Sequence, residues 1–407
     1  MLRLLEQELL WEQRPFQAVW SENFDLSRAI FIAYSYRSII DDLSSSKDKE
    51  MEENAYLLRG LASCPATSFH EERVAEFIMN YLKDLGLEAD RDSFGNIIAK
   101  YQNGQALNTM ALVAHMDHPG FEIIEANGNS VRANLLGGVR PEYFQKDVPV
   151  RIFSGNNIVP GLIKLYTPPE GDGLPTLELD VKGTVKAGDF GVWDIDDFEA
   201  KDGFYHLRAA DDLAGCGAAL GTLRELTKAR AVASVYGVFT RAEEVGLIGA
   251  TLVAKEGPVP RDTIVVSLES SRELPGAQIG AGPVIRVGDA RSTFHPEAEA
   301  FLLAARDKLI AEDSSVKVQR QLMSGGTCEA TAFSVFGYRA TGIAFPLGNY
   351  HNMSEDGELK AEYISATDFD TGISLLVRAV HEAASPGENN LVQRFTTLSN
   401  RYRSRLG

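Results

Sequence analysis

Two histidines and six acidic residues have the types needed to bind divalent cations and move protons: His115 with Asp117, Asp211 with Asp212, Glu243 with Glu244, and then Glu269 and His351. Imidazole and carboxylate suit zinc, and two histidines with three carboxylates can hold two ions if one carboxylate bridges. Asp211 is the candidate bridge, because a bridging group needs both oxygens free and a tight backbone, and Asp212, Gly215 and Gly217 supply that setting. Asp117 stands two residues after His115, so on a strand it shares that face and can orient the imidazole from behind. The adjacent glutamates suit a division of labour, one binding metal while the other takes a proton from metal-bound water.

Each of these pieces alone has an ordinary structural explanation. A Glu-Glu pair is usually solvated, a His after a strand is usually structural, and Asp-Asp before a helix is commonly an N-cap. Their order along the chain carries more weight. His115 and Asp117 end the apolar run Met110 to Ala114, and Asp211 and Asp212 precede a helix-like stretch over 213–228. The glutamate pair follows the β-branched run Ser234 to Thr240, Glu269 ends Thr263 to Leu268, and His351 follows Thr341 to Phe345. In open α/β sheets, functional groups collect where strands end at their carboxyl side.

These strand-like runs alternate with helical patterns at 213–228, 248–255, 296–311 and 365–384, which predicts an α/β fold with a mixed sheet covered by helices. A helix is expected from Ser68 to Leu85, with Ser68 as N-cap, Glu71 three residues on and Gly86 as the stop. Residues 121–207 break the alternation. Short strand-like pieces at Val148 to Phe153, Gly161 to Leu165 and Leu177 to Val181 lie between Gly, Pro and Asn turns, which predicts an inserted small β-barrel. Leu2, Leu5, Leu9 and Leu10 and the run Leu26 to Ile40 predict an N-terminal helical extension over residues 1–50, closed by a polar linker from Ser44 to Glu50. The catalytic α/β domain is then expected over 51–120 and 208–385, with a C-terminal tail over 386–407.

The motifs in their order resemble the M42 group of dinuclear metallo-aminopeptidases, within the co-catalytic zinc peptidases that include M20 and M28. The matching pieces are Asp92-Ser93-Phe94-Gly95-Asn96, Ala114-His115-Met116-Asp117, Ala210-Asp211-Asp212-Leu213-Ala214-Gly215 and Glu243-Glu244-Val245-Gly246-Leu247-Ile248-Gly249-Ala250. Further on come Ile279-Gly280-Ala281-Gly282-Pro283, His295-Pro296, Gly325-Gly326-Thr327, and Pro346 with His351 five residues later. The 94 positions from Asp117 to Asp211 leave room for the β-domain that M42 members insert there. The resemblance implies that His115, Asp211 and Glu269 hold one metal and that Asp211, Glu244 and His351 hold the other. It also implies a cis peptide between Asp211 and Asp212, Glu243 as general base, Asp117 as the partner of His115, and assembly into a homo-oligomer. Zinc is the first expectation for the two ions, with cobalt or manganese as alternatives.

Several positions depart from the family pattern. Glu269 stands where Asp is usual, His118-Pro119 replaces Glu-Val, and Gly348 replaces an Arg two positions after the proline. Gly326-Thr327-Cys328-Glu329-Ala330 carries one residue more than Gly-Thr-Asp-Ala. His118 is read either as a ligand or substrate contact or as loop surface. His70, His206 and His381 are expected to be structural or on the surface, and His295 structural.

Composition narrows the field from another side. With 40 basic and 57 acidic residues in 407, the net charge is −17, which disfavours a phosphate-backbone partner. Cys64, Cys216 and Cys328 form no CxxC pair, which fits a reducing cytoplasm. No membrane span is expected, since no stretch reaches the roughly 18 apolar residues required. The function expected is cleavage of N-terminal residues from short peptides through a metal-bridged water and a Glu base. Three rivals remain. They are an N-acyl amino acid deacylase or carboxypeptidase on the same site, a glycosidase using Glu243 and Glu244, and an inactive binding or assembly module.

Overall fold

The structure, a computed structural model, describes residues 46–385 and 391–406. Of the N-terminal extension expected over residues 1–50, residues 1–45 lie outside them. Helices α1 (Ser46–Ala62) and α2 (Glu72–Asp84) precede strands β1 (Glu88–Arg91), β2 (Ile97–Asn103) and β3 (Met110–His115). Six strands follow: β4 (Gly120–Asn127), β5 (Ser130–Leu136), β6 (Val148–Ser154), β7 (Asn157–Thr167), β8 (Thr176–Val181) and β9 (Phe190–Trp193). Strands β10 (Phe198–Lys201) and β11 (Phe204–Leu207) lead into α3 (Ala210–Ala229), β12 (Ala233–Thr240), α4 (Ile248–Glu256) and β13 (Ile264–Arg272). The chain continues through β14 (Val284–Gly288), α5 (Pro296–Glu312), β15 (Gln319–Leu322), α6 (Glu329–Val335) and β16 (Arg339–Gly348). It closes with β17 (Glu362–Ser365), α7 (Ala366–Ala384) and α8 (Leu391–Tyr402).

Eleven strands form one large mixed sheet. Its main path runs β1-β2-β12-β3-β13-β16-β17-β11-β10, with β14 and β15 branching from β16. The centre is parallel, β12 and β13 flanking β3 and β16 lying beside β13, while the margins are antiparallel. Every residue of β3 is buried, as expected of a central strand covered on both faces. Period-two alternation sends Leu112 and Ala114 to one core with α3 and α7, and Ala111 and Val113 to another with α4 and α6.

The insert is a closed barrel in the order β4-β5-β8-β7-β6-β9, filled by Phe121, Ile152, Leu177 and Trp193 among others. Gly191 makes that filling possible, since a Cβ there would lie 2.1 Å from Phe121 Cζ. Strands β10 and β11, expected within the insert, instead extend the edge of the large sheet through β17. The chain therefore leaves the sheet just after His115 and returns just before Asp211, so both segments sit at one rim.

Three local expectations change. The polar run Ser46–Glu50, read as linker, is the first part of α1. Helix α2 begins at Glu72 rather than near Ser68, and Glu71 at its N-cap makes no side-chain cap bond, because both residues are engaged elsewhere. Strand β13 runs on past Leu268, so Glu269 lies within it rather than after it.

Candidate metal centre

The carboxyl ends of β3, β12 and β13 bring five of the predicted residues together with a loop after β16. The two imidazoles are set alike. His115 Nδ1 donates to the Asp117 carbonyl at 3.1 Å, and His351 Nδ1 donates to the Gly138 carbonyl at 2.7 Å. Each ring is thereby fixed as the tautomer that turns Nε2 toward the carboxylates. His115 Nε2 lies 3.4 Å from Asp211 Oδ1 and 3.8 Å from Glu243 Oε2. His351 Nε2 lies 3.4 Å from Glu244 Oε1 and 3.7 Å from Asp211 Oδ2. Asp211 thus turns one oxygen to each histidine.

Two groups of candidate ligands result, each with its donor atoms within 4.8 Å of one another: His115, Glu243 and Glu269, and Asp211, Glu244 and His351. The second is the trio implied by resemblance. The first contains Glu243 beside His115 and Glu269, with Asp211 reaching it through its 3.4 Å contact. Asp211 Oδ1, Glu244 Oε1 and Glu269 Oε1 are buried with no hydrogen-bond partner. Crowded carboxylates without donors are costly, and divalent cations would relieve that cost, so the donor set fits two such ions. The electrostatics agree. Burial pushes Glu243 and Glu244 well above the usual carboxylate range, and Glu269 up to about 8. Burial disfavours charge on His115, but Glu243, Asp117 and Asp211 outweigh it and raise its pKa.

A further set of buried groups holds these residues in place. Asp117 accepts hydrogen bonds from Ser68 Oγ (2.6 Å), Glu243 N (2.9 Å) and Glu244 N (3.1 Å). The peptide between Asp211 and Asp212 is cis. Asp212 accepts from Gly215 N at 3.0 Å and His115 N at 3.3 Å, so its carboxylate braces the turn rather than facing the centre. Glu362 accepts from Asp211 N (2.9 Å) and His351 N (2.7 Å), tying the candidate bridge to the second histidine.

His118 is neither loop surface nor within either ligand group. It is buried, with Nδ1 2.5 Å from the Asp211 carbonyl and Nε2 2.9 Å from Asn352 Oδ1. Two acceptors flanking one ring favour the imidazolium, while burial acts oppositely and brings its pKa down to about 4. The short contact to Asp211 fixes the Nδ1 proton in either state. His295 caps α5 by accepting from Glu297 N. His70 pairs with Glu122 of the barrel at 2.7 Å and stacks on Phe190. Burial raises the thiols of Cys64, Cys216 and Cys328, those of Cys64 and Cys328 to about 11 and 12.

Sequence reasoning missed Ser68, Glu71, Arg286, Tyr350 and Glu362. Ser68 and Glu71 carried the signature of a capping box, which concealed their contacts. Glu362 and Arg286 sit in strands with no local signal. Arg286 is buried in the cleft beside Glu269, its Nε and Nη1 without hydrogen-bond partners, and Arg272 lines the same cleft. Tyr350 stacks on the His351 ring with centroids 3.8 Å apart.

Comparison with known proteins bears on this arrangement. The sequence model of the family described as M42 glutamyl aminopeptidase matches residues 177–365. A curated protein of Acetivibrio thermocellus, named as a candidate aminopeptidase, is 24% identical over 352 residues, covering 81% of this chain and 99% of that protein. Among solved structures, aminopeptidase APDkam598 of the archaeon Desulfurococcus kamchatkensis superposes with a TM-score of 0.68. It is 24% identical, and the match covers 82% of this chain and 96% of that one. The TET1 peptidase of Pyrococcus horikoshii, which can assemble into a tetrahedron or a large octahedral shell, gives 0.66 at 22% identity. That match covers 81% of this chain and 99% of the other. The solved structures share the fold, a mixed α/β sheet with an inserted barrel, and over residues 177–365 the chain is similar to the M42 peptidases.

Proposed function

We propose that the chain is a dinuclear metal-dependent aminopeptidase acting on short peptides. One observation carries this reading: two imidazole Nε2 atoms and three buried, unpartnered carboxylate oxygens converge at one strand rim. His115, Asp211 and Glu269 would hold one ion, and Asp211, Glu244 and His351 the other. This mixed N/O donor set suits zinc, with cobalt or manganese as alternatives. Two such cations would polarise the scissile carbonyl and acidify water between them.

The protein's own residues supply the proton handling. Glu243 stands as general base, its carboxylate reaching to 3.8 Å from His115 Nε2 at the centre, placed to accept a proton from the attacking water and pass it to the departing amine. Asp117 acts by position, orienting His115 and receiving the backbone N–H groups of both glutamates. The acidic rim favours a free α-ammonium, which would confine cleavage to the N-terminal residue. Arg272 and Arg286 line the same cleft and suit an acidic side chain at that residue. We further infer a homo-oligomer, an α/β domain interrupted by the barrel, and a cytoplasmic setting. Among the described residues no helix is long and apolar enough to cross a membrane.

The same two arginines support a second reading, in which they hold the carboxylate of an N-acyl amino acid or a peptide C-terminus. Metal-depleted protein, supplied with zinc, cobalt or manganese in turn, decides between them on a panel of aminoacyl amides and of free and N-acetylated dipeptides. Cleavage of free N-termini, fastest for Glu or Asp, supports the first reading. Cleavage of N-acetylated substrates alone would overturn it.

A further inference from the structure

We infer that Arg241 and Glu71 form a clamp that positions the Glu243–Glu244 loop, a role that rests on the proposed work of those two glutamates. Glu71 is fully buried, and Arg241 Nε donates to its Oε2 at 2.7 Å. The other carboxylate oxygen accepts from Ala242 N at 3.0 Å and Phe69 N at 2.9 Å. One side chain therefore binds both the guanidinium of Arg241 and the next residue's backbone, immediately before Glu243. Ala242 stands at φ +53, a left-handed conformation that a non-glycine residue keeps only when its surroundings impose it.

The other end of the guanidinium explains a motif that the proposed chemistry leaves unused. Arg241 Nη1 donates to the Phe94 carbonyl at 3.2 Å and Nη2 to the Phe69 carbonyl at 2.9 Å. Asn96 Oδ1 accepts from Arg241 N at 3.0 Å. The turn Asp92 to Asn96 is itself braced by Asp92, which accepts from Phe94 N, Asn96 N and Asn96 Nδ2. Gly95 (φ +88) leaves room for the guanidinium, since a Cβ there would meet Nη1 at 2.7 Å. At Gly249 a Cβ would strike the Arg241 backbone at 2.4–2.5 Å. Turn, helix start and glutamate loop thus meet on one arginine. Arg241 and Glu71 are positioning residues. Neither belongs to the two ligand groups, and their effect passes through the backbone of Ala242 to Glu243 and Glu244.

The test compares Glu71→Gln, Arg241→Gln and the double variant with the wild-type protein. Cobalt(II) titrated into metal-depleted protein should bind its first equivalent normally and its second ten- to a hundredfold more weakly. In the loaded enzyme kcat should fall by about the same factor with KM within about twofold, and the double variant should be no worse than the poorer single. Amide exchange at Glu243 and Glu244 in metal-free protein should rise about tenfold, a readout that stands even if the wild-type protein takes up no metal and the aminopeptidase reading fails. Variants that lose only thermal stability, with cobalt binding, kcat and exchange at these amides unchanged, would overturn the clamp. Gly95→Ala guards against misfolding, because it displaces the guanidinium while leaving Glu71 intact. It should reproduce the exchange and cobalt effects, and wild-type behaviour from folded Gly95→Ala protein would also overturn the inference.

Discussion

Ser68 Oγ donates a 2.6 Å hydrogen bond to Asp117 Oδ2, and both groups are buried. Asp117 also receives the two N–H groups of the glutamate loop, that of Glu244 on the same oxygen as Ser68 and that of Glu243 on the other. These donors and the neighbouring His115 outweigh burial and keep the Asp117 carboxyl below its usual range. The carboxylate lies 3.5 Å from His115 Nδ1 and adds its charge to the hydrogen bond that the ring makes to the Asp117 carbonyl.

Ser68→Ala removes one of those donors. Loss of a hydrogen bond to a buried carboxylate should cost about 1–3 kcal/mol of stability. Metal retention, read by competition with a chromogenic chelator, should weaken about tenfold. Unchanged retention would show that Ser68 serves the fold alone.

Glu243→Gln keeps the shape of the side chain and removes its basicity. Turnover should fall at least about a hundredfold, as expected when a general base is lost. Metal content by elemental analysis should remain near that of the wild-type protein. Wild-type rates would mean that another group takes the proton.

Metal-depleted protein should lose stability between pH 7 and pH 8. Glu269, with a folded pKa of about 8 against an ordinary 4.5, holds a proton in the native state that the unfolded chain has released. Its contribution is complete below the unfolded value and fades as pH rises through the folded one; Glu243 and Glu244, also raised, act in the same sense. His118 and His351 are lowered and stay unprotonated in the native state here, so only the small protonated fraction of the unfolded chain's histidines opposes the trend, while His115, raised, acts with the carboxylates. Each group still protonated should contribute about 1 kcal/mol per pH unit. Zinc at a hundred times its Kd should restore about 2.7 kcal/mol. A thermal midpoint that is flat or rising across this range in chelated protein would contradict the assignment.

Gly348 stands where the family resemblance leads one to expect arginine, and its surroundings explain the change. A Cβ at this position would fall 2.1 Å from Tyr363 Cζ and 2.4 Å from its hydroxyl. Gly348→Ala should cost about 1–3 kcal/mol through overpacking. Adding Tyr363→Ala should recover part of that loss in chemical denaturation. Additive losses would mean that the ring does not fill the space.

The central strands and the ligand candidates were legible because both are local signals. A fully buried parallel strand such as β3 reads as an unbroken apolar run, and a polar residue at its end then stands out. The groups that hold the ligands were not legible. Glu362 bonds to Asp211 and His351 from a strand far along the chain, and only the fold brings these together. Ser68 and Glu71 are hidden for a different reason. Their spacing satisfies a capping box, but a buried carboxylate beside Arg241 and a hydroxyl beside Asp117 gain more from those charged partners than from a helix end. For His118 the sequence shows neither its burial nor the carbonyl it meets.

The bond from His351 Nδ1 to the Gly138 carbonyl crosses from the sheet to the barrel. Tyr143, beyond Gly138 in the barrel, reinforces that seam by donating from its hydroxyl to the Ser354 carbonyl at 2.7 Å. The barrel is therefore no detachable cassette. A circular permutation or transplant that cuts between Leu136 and Tyr143 would free the imidazole to exchange tautomers, and the half of the centre nearest Glu244 would lose its fixed nitrogen donor. Any shift of the barrel, from a neighbouring subunit or a passing peptide, would be felt first at that nitrogen.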